Sequence, residues 1–191
     1  MEDIRLKIWS KLVYKDPRDW LLKLAKIEKE IIPCVASQKA KTFRTNKLKW
    51  AKEARQAGIF TYGMSLYKKK TVNFALHEAD DYDFIARFID KDIDNYIPVQ
   101  LKEWVPSRLN QSQSLATIYE ELKKYSSQND LTVAIYVCRD TKIDAELIRL
   151  KGTQFAGVWL FGASSRDKRK WFLWGDVQAS PDFFEFDYPV E

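Results

Sequence analysis

The chain has 191 residues, 46% of them hydrophobic and 14% aromatic, and 32 Lys and Arg against 27 Asp and Glu give a formal charge of +5. This is enough apolar material for one well-buried domain, and it excludes a disordered chain. No apolar run approaches the roughly 18 residues of a transmembrane helix, so no membrane partner is expected, and two cysteines, Cys34 and Cys138, are too few for a disulfide framework and read as buried thiols of a cytoplasmic protein.

Residues from about Ile4 to Ile32 read as one or two amphipathic helices broken near Asp16-Pro17, with Leu21, Leu24, Ile27 and Ile31 as an apolar stripe and Pro33 as its stop. The first residues, Met1 to Arg5, carry charges too often for a secretion signal. A further helix is expected from about Asn46 to Ala57, capped by Thr45 or Asn46 and ended by Gly58. The pattern then turns to strands. Ile59 to Tyr62 and Thr71 to Glu78 are β-like, and Tyr82 to Ile89 and Tyr96 to Val105 follow, joined by a turn over Asp90 to Asn95. Ser114 to Tyr125 has helical spacing, with Leu115, Ile118, Leu122 and Tyr125 on one side. Leu131 to Cys138 is a nearly unbroken apolar run, as expected of a strand covered on both faces. A short helix around Asp144 to Lys151 is expected, then a hairpin of Gly157–Gly162 and Trp171–Trp174 across Ser164 to Lys170. This order predicts an α/β or α+β core. One domain is expected, with residues 1–44 as a helical extension, 45–140 as the core and 141–191 as additional helix and strands.

The chemistry concentrates on the two middle strands. Strand side chains alternate, so Asp81 and Asp83 share one face of the first, and Gln100 and Lys102 share one face of the second. Paired as a hairpin, these runs bring a carboxylate, a carboxamide and an ammonium to one edge of a core. A carboxylate can hold Mg²⁺, and a lysine beside it can orient water or offset phosphate charge. Each residue alone has a plainer reading: the aspartates as turn caps, the lysine snorkelling from a strand end. Together they interrupt an apolar strand, and a buried lysine needs a carboxylate near it, which places Asp83 close to Lys102.

The order helix–β–β–β–helix–β, with Asp83-Phe84-Ile85-Ala86 on one strand and Gln100-Leu101-Lys102 on the next, resembles the PD-(D/E)XK nuclease superfamily over about Asn46 to Cys138. The resemblance implies a restriction-endonuclease-like core, a mixed sheet flanked by helices, that hydrolyses phosphodiester bonds with one or two Mg²⁺ (or Mn²⁺) ions. It implies Asp83 as the main metal ligand, Lys102 as the catalytic lysine and Asp81 as a same-face alternative or auxiliary. Gln100 departs from the family pattern, standing where Asp or Glu is usual. Its amide oxygen can ligate Mg²⁺ without adding charge. Glu78 could restore the lost carboxylate, and Glu53 could fill the place of an acid that some family members carry on the preceding helix.

Positive charge supports a polyanionic partner. Ten basic residues lie between Lys39 and Lys70, with Glu53 the one acid among them. Lys47, Lys49, Lys52 and Arg55 would face a phosphate backbone from the helix, Lys68, Lys69 and Lys70 from a loop, and Arg166, Lys168, Arg169 and Lys170 from a hairpin tip. A solvated lysine-rich helix is the plainer account of the first group. Trp171 and Trp174 could stack on bases, though core packing is favoured for both. DNA is favoured over RNA, and a homodimer is left open.

Other chemistries lose ground on composition. His77 is the one histidine, so zinc sites rich in histidine, two-histidine ribonuclease mechanisms and HNH-type nucleases lack ligands or bases. His77 beside Glu78 could contact phosphate or metal, with a strand-end histidine the plainer reading. A Cys138–His77 dyad is outweighed by a packed thiol. Gly157 to Gly162 fails as a phosphate loop because Ala163-Ser164 stands where Lys-Ser or Lys-Thr is required. Two alternatives to the nuclease remain: an inactive module of the same fold that binds nucleic acid or protein, and a protein-binding regulator using the N-terminal helices and acidic tail.

Overall fold

The structure is a computed structural model that describes residues 2–31, 49–79, 81–125, 129–139, 143, 155–179 and 181–190. By contacts the chain divides into two units: Met1–His77 with Phe84–Tyr96 and Pro189–Glu191, and Glu78–Asp83 with Ile97–Tyr188.

In the first unit, α1 (Glu2–Trp9) buries Trp9, and α2 (Pro17–Ile31) starts at the break expected from the sequence. Asp16 caps it by accepting the Asp19 N–H at 3.0 Å, and Pro17 takes the first helical position, where a missing N–H costs nothing. Leu21 and Leu24 are buried, whereas Ile27 is exposed, so the predicted stripe fades along the helix. The expected caps Thr45 and Asn46, the stop Pro33, the basic residue Lys47 and the thiol Cys34 lie outside the described residues.

The third helix corrects the sequence reading. α3 runs Lys49–Lys68, straight through Gly58 and through Ile59–Tyr62, which propensity had assigned to a strand. Helical spacing wins because α3 packs on α2 and is buried through Ala51, Ala54, Ala57, Ile59, Phe60 and Thr61. Gly58 is a close-approach residue here and not a helix stop: a Cβ would meet Trp20 Cδ1 at 3.1 Å and Leu21 Cδ2 at 3.3 Å. The buried Thr61 hydroxyl satisfies itself on the Ala57 carbonyl at 2.7 Å. The real stop is at Lys69, whose φ of 53° is left-handed. Its N–H bonds to Leu66 O and that of Lys70 to Ser65 O, a Schellman closure. Lys69 is thus a helix-terminal residue, where a loop entering a strand was expected.

β1 (Asn73–Leu76) pairs antiparallel with β2 (Phe84–Asp90). β2 turns into β3 (Ile93–Trp104) through Lys91 and Asp92, both at positive φ, a two-residue hairpin turn in place of the six-residue turn expected.

The second unit carries the mixed sheet. In it β3, whose ladder to its partner begins at Val99 just after Pro98, runs parallel to β4 (Thr132–Val137), and β4 runs parallel to β5 (Gly157–Ala163). β5 then pairs antiparallel with β6 (Lys170–Gly175), and β6 with β7 (Asp182–Asp187). The apolar run at β4 is the buried central strand that its composition implied. Between β3 and β4 lies α4 (Leu115–Leu122), opened by a capping box of Ser114 with Thr117 and prolonged by a tight turn over Lys123–Tyr125. The fold is therefore mixed α and β, as expected. The short helix expected at Asp144 to Lys151 lies outside the described residues. Among the described residues no helix is long and apolar enough to cross a membrane.

Arg139 holds the loop between β3 and α4. Its guanidinium donates to Val105 O at 3.2 Å, Gln113 O at 2.9 Å and Asn110 O at 2.6 Å, and it sits 5.4 Å from the centre of the Trp104 ring. Arg139→Ala is expected to cost about 2 kcal/mol through the loss of three hydrogen bonds and the ring contact, although Gln113 O keeps the Trp104 indole N–H at 3.3 Å, read as a fall of roughly 5 °C in the melting temperature. A fall under a degree would show that the loop holds itself.

Candidate functional site

Asp83 sits one residue before β2 and not within it; Asp81 too precedes the strand, correcting the expectation that both share a strand face. The consequence for Asp83 is a different kind of attachment. Its N–H donates to Val99 O at 2.9 Å, and its carboxylate Oδ2 then accepts the N–H of Leu101 at 2.6 Å. The side chain thus takes the place of a strand carbonyl on that edge of β3. The same Oδ2 accepts a hydrogen bond from the Gln100 amide nitrogen. Gln100 is buried, 7% exposed, and Asp83 is half-buried. Carboxylate and carboxamide are in direct contact within one unit.

Lys102 lies two residues along β3 from Gln100, so both point from the same face. Its ion pair is with Glu121 of α4, at 3.8 Å, and its ammonium is 5.9 Å from the centre of the Tyr125 ring. The sequence reading sought its counter-charge in Asp83 and missed Glu121. The missed signal was spacing: Glu121 and Tyr125 stand four apart on a helical segment, so they present one surface to the same strand residue.

The remaining expected residues disperse. Glu78 and Asp81 belong to the loop that leads to Asp83; Glu78 is exposed and Asp81 half-buried. Glu53 on α3 and His77 after β1, both half-buried, belong to the first unit. There Arg55 is tied to Glu28 of α2 at 2.5 Å, so its guanidinium is spent on the α2–α3 contact, and Lys52 is half-buried. Lys69 is exposed at the end of α3.

The hairpin tip is where exposed positive charge gathers within the second unit. Arg166, Lys168 and Arg169 are all exposed. The tip is shaped by Asp167, whose carboxylate accepts from the Ser165 hydroxyl at 2.6 Å and the Arg169 N–H at 3.1 Å. These bonds, the hydroxyl first, hold its carboxyl below the usual carboxylate range. Trp171 is fully buried, as favoured from sequence, and Trp174 is half-buried.

Among the described residues no group of three or more His, Cys, Asp or Glu side chains gathers as a metal centre. The donor set at β3 is one carboxylate beside one carboxamide. That set is no closed cage, and with the Gln100 nitrogen turned to Asp83 it offers a cation one carboxylate; Mg²⁺ commonly takes one or two carboxylates beside several waters and the substrate's phosphate oxygens. No family model, no curated protein and no solved structure matches the chain.

Proposed function

We propose that the protein is a metal-dependent nuclease of the PD-(D/E)XK type, an endonuclease that hydrolyses phosphodiester bonds, in DNA before RNA. The observation that carries this reading is the contact of Asp83 with Gln100 at the start of β2, with Lys102 on the same face of β3. Along the chain, the order α3–β1–β2–β3–α4–β4, with β4 parallel to β3, follows the helix–β–β–β–helix–β order of the resemblance.

Each residue then has a task. Asp83 supplies the carboxylate of the metal site, with Glu78 and Asp81 in the loop before it as auxiliary acids. Held by that carboxylate, Mg²⁺ would supply Lewis-acid chemistry, polarising the phosphate and activating water. Lys102 places a fixed positive charge beside the phosphate as negative charge builds up in the transition state. Glu121 pairs with that ammonium at 3.8 Å, and its own exposure keeps the pair weak enough to yield to a phosphate.

A second reading is favoured by one observation: the Gln100 nitrogen, and not its oxygen, faces Asp83. In that reading the site is silent, and the fold binds nucleic acid or protein without metal. Titrating Mg²⁺ and Mn²⁺ into the wild type and Asp83→Asn by calorimetry, beside cleavage of a mixed DNA and RNA substrate set, separates the two. The nuclease reading expects metal binding and cleavage that both disappear in Asp83→Asn. A folded wild type that binds no metal and cuts nothing, yet retains salt-sensitive affinity, would hand the site to the second reading.

The tip gives an independent check on the partner. Lys168→Glu with Arg169→Glu is expected to weaken nucleic-acid binding by about tenfold or more. It should also reduce the slope of log affinity against log salt by about 2, one for each phosphate that is no longer neutralised. Both residues are exposed, so the melting temperature should hold. An unchanged salt slope would place the nucleic acid elsewhere.

A further inference from the structure

Gln100 is where this chain departs from the acid expected two positions before the lysine, and its surroundings say what it does. The residue is buried. Its amide nitrogen has two neighbours, the Asp83 carboxylate and the Leu101 carbonyl at 3.1 Å. A carboxylate and a carbonyl only accept hydrogen bonds, so chemistry alone requires the NH₂ end of the amide to face them. Turning the amide over would set its oxygen against the carboxylate and leave buried polar groups without partners. The same Asp83 oxygen also receives the Leu101 N–H at 2.6 Å. Two donors from consecutive residues of β3 therefore hold one carboxylate oxygen.

The geometry points to Gln100 as a positioning residue: a neutral hydrogen-bond donor that fixes the Asp83 carboxylate against β3 and does not itself ligate metal. The inference rests on the nuclease reading only in taking Asp83 as the metal-binding carboxylate. A glutamate at this position would press a second negative charge against Asp83, and the pair would need a cation between them to stay in place. The amide removes that repulsion. Asp83 is then ordered before any cation arrives, and what the site gives up in ligand charge is left to the substrate phosphate to supply.

The test uses the full chain and thermal melting in EDTA. Gln100→Met and Asp83→Ala are each expected to lower the melting temperature by about 5 °C. Both together should cost little more than the larger single effect, because each removes the same bond. Additive shifts would overturn the inference. Gln100→Glu should melt about 5–10 °C below the wild type in EDTA and recover most of the gap in saturating Mg²⁺, while the wild type moves little. A Gln100→Glu protein that melts like the wild type in EDTA would also overturn it. Should that variant fail to fold, the wild type answers alone through the Gln100 side-chain NH₂ resonances. They should keep their shifts when Mg²⁺ is added, whereas a ligand would swing its oxygen inward and displace them. Coupled Asp83 and Gln100 effects in a wild type that shows no Mg²⁺ binding would uphold the donor role and reject the metal reading, so the two fail separately.

Discussion

If the protein is the nuclease proposed above, Lys102→Met is expected to slow cleavage by about 10²–10³-fold, the loss typical when one preorganised charge is removed from a transition state, with little change in stability. The two halves of this expectation come from different parts of the same side chain. Lys102 is 20% exposed, so most of its stem is packed along β3, and methionine replaces that stem with one of similar reach. Its charge contributes little to folding. The partner Glu121 is 61% exposed and 3.8 Å away, the kind of ion pair that stabilises by about 0–1 kcal/mol. A large kinetic effect on a small stability change is what separates a residue that touches the substrate from one that holds the fold. Glu121→Gln leaves the ammonium in place and should cost under tenfold. Wild-type cleavage by Lys102→Met would remove the lysine from the mechanism and reduce it to the counter-ion of Glu121.

How much of this was legible in the sequence depends on which physical signal each element carries. The strand at β4 was readable because a parallel strand flanked by β3 and β5 needs apolar side chains on both faces, and Leu131 to Cys138 spells that out. The β5–β6 hairpin was readable from its two aromatic runs and polar tip. At Ile59–Tyr62 the β-branched and aromatic residues pointed the wrong way, since the helix begun before them packs on α2 and carries on through them; packing there outweighs propensity. The turn over Asp90 to Asn95 was found but drawn too wide, because neither Lys91 nor Asp92 is the glycine or asparagine that usually marks positive φ. At the site, the nearness of Asp83 to Gln100 followed from the strand pattern. The way they meet did not, because it depends on Asp83 standing just outside the strand with its side chain filling a place in the ladder. The partner of Lys102 was hidden for another reason: Glu121 comes from α4, and strand alternation says nothing of which helix residue will cover a strand.

Trp171→Ala is expected to destabilise the protein by about 3–5 kcal/mol, the range for truncating a large buried aromatic, and so to lower its melting temperature by about 10 °C. Trp171 has no exposed surface. Its ring stacks on Tyr136 with centroids 6.1 Å apart and tilts against Tyr188 at 6.3 Å, contacts that add to what its area alone provides. Its indole N–H also donates to the Lys168 carbonyl at 2.8 Å. Lys168 is held at a φ of 58°, a left-handed conformation that a lysine adopts only when its surroundings impose it. The tryptophan therefore ties the shape of the basic tip to the core of the sheet. Trp171→Phe separates these roles: it keeps most of the apolar burial, loses the bond to Lys168 and should cost about 1 kcal/mol, with faster amide exchange confined to the tip. A Trp171→Ala protein that melts within two degrees of the wild type would contradict this packing. Since the ring is spent inside the sheet, it is not available to stack on bases. Trp171→Phe should accordingly leave nucleic-acid affinity within about twofold, while the charge reversals at Lys168 and Arg169 lower it by about tenfold or more. If the aromatic substitution weakened binding as much as the charge reversals, the tip would depend on its shape more than on its charge.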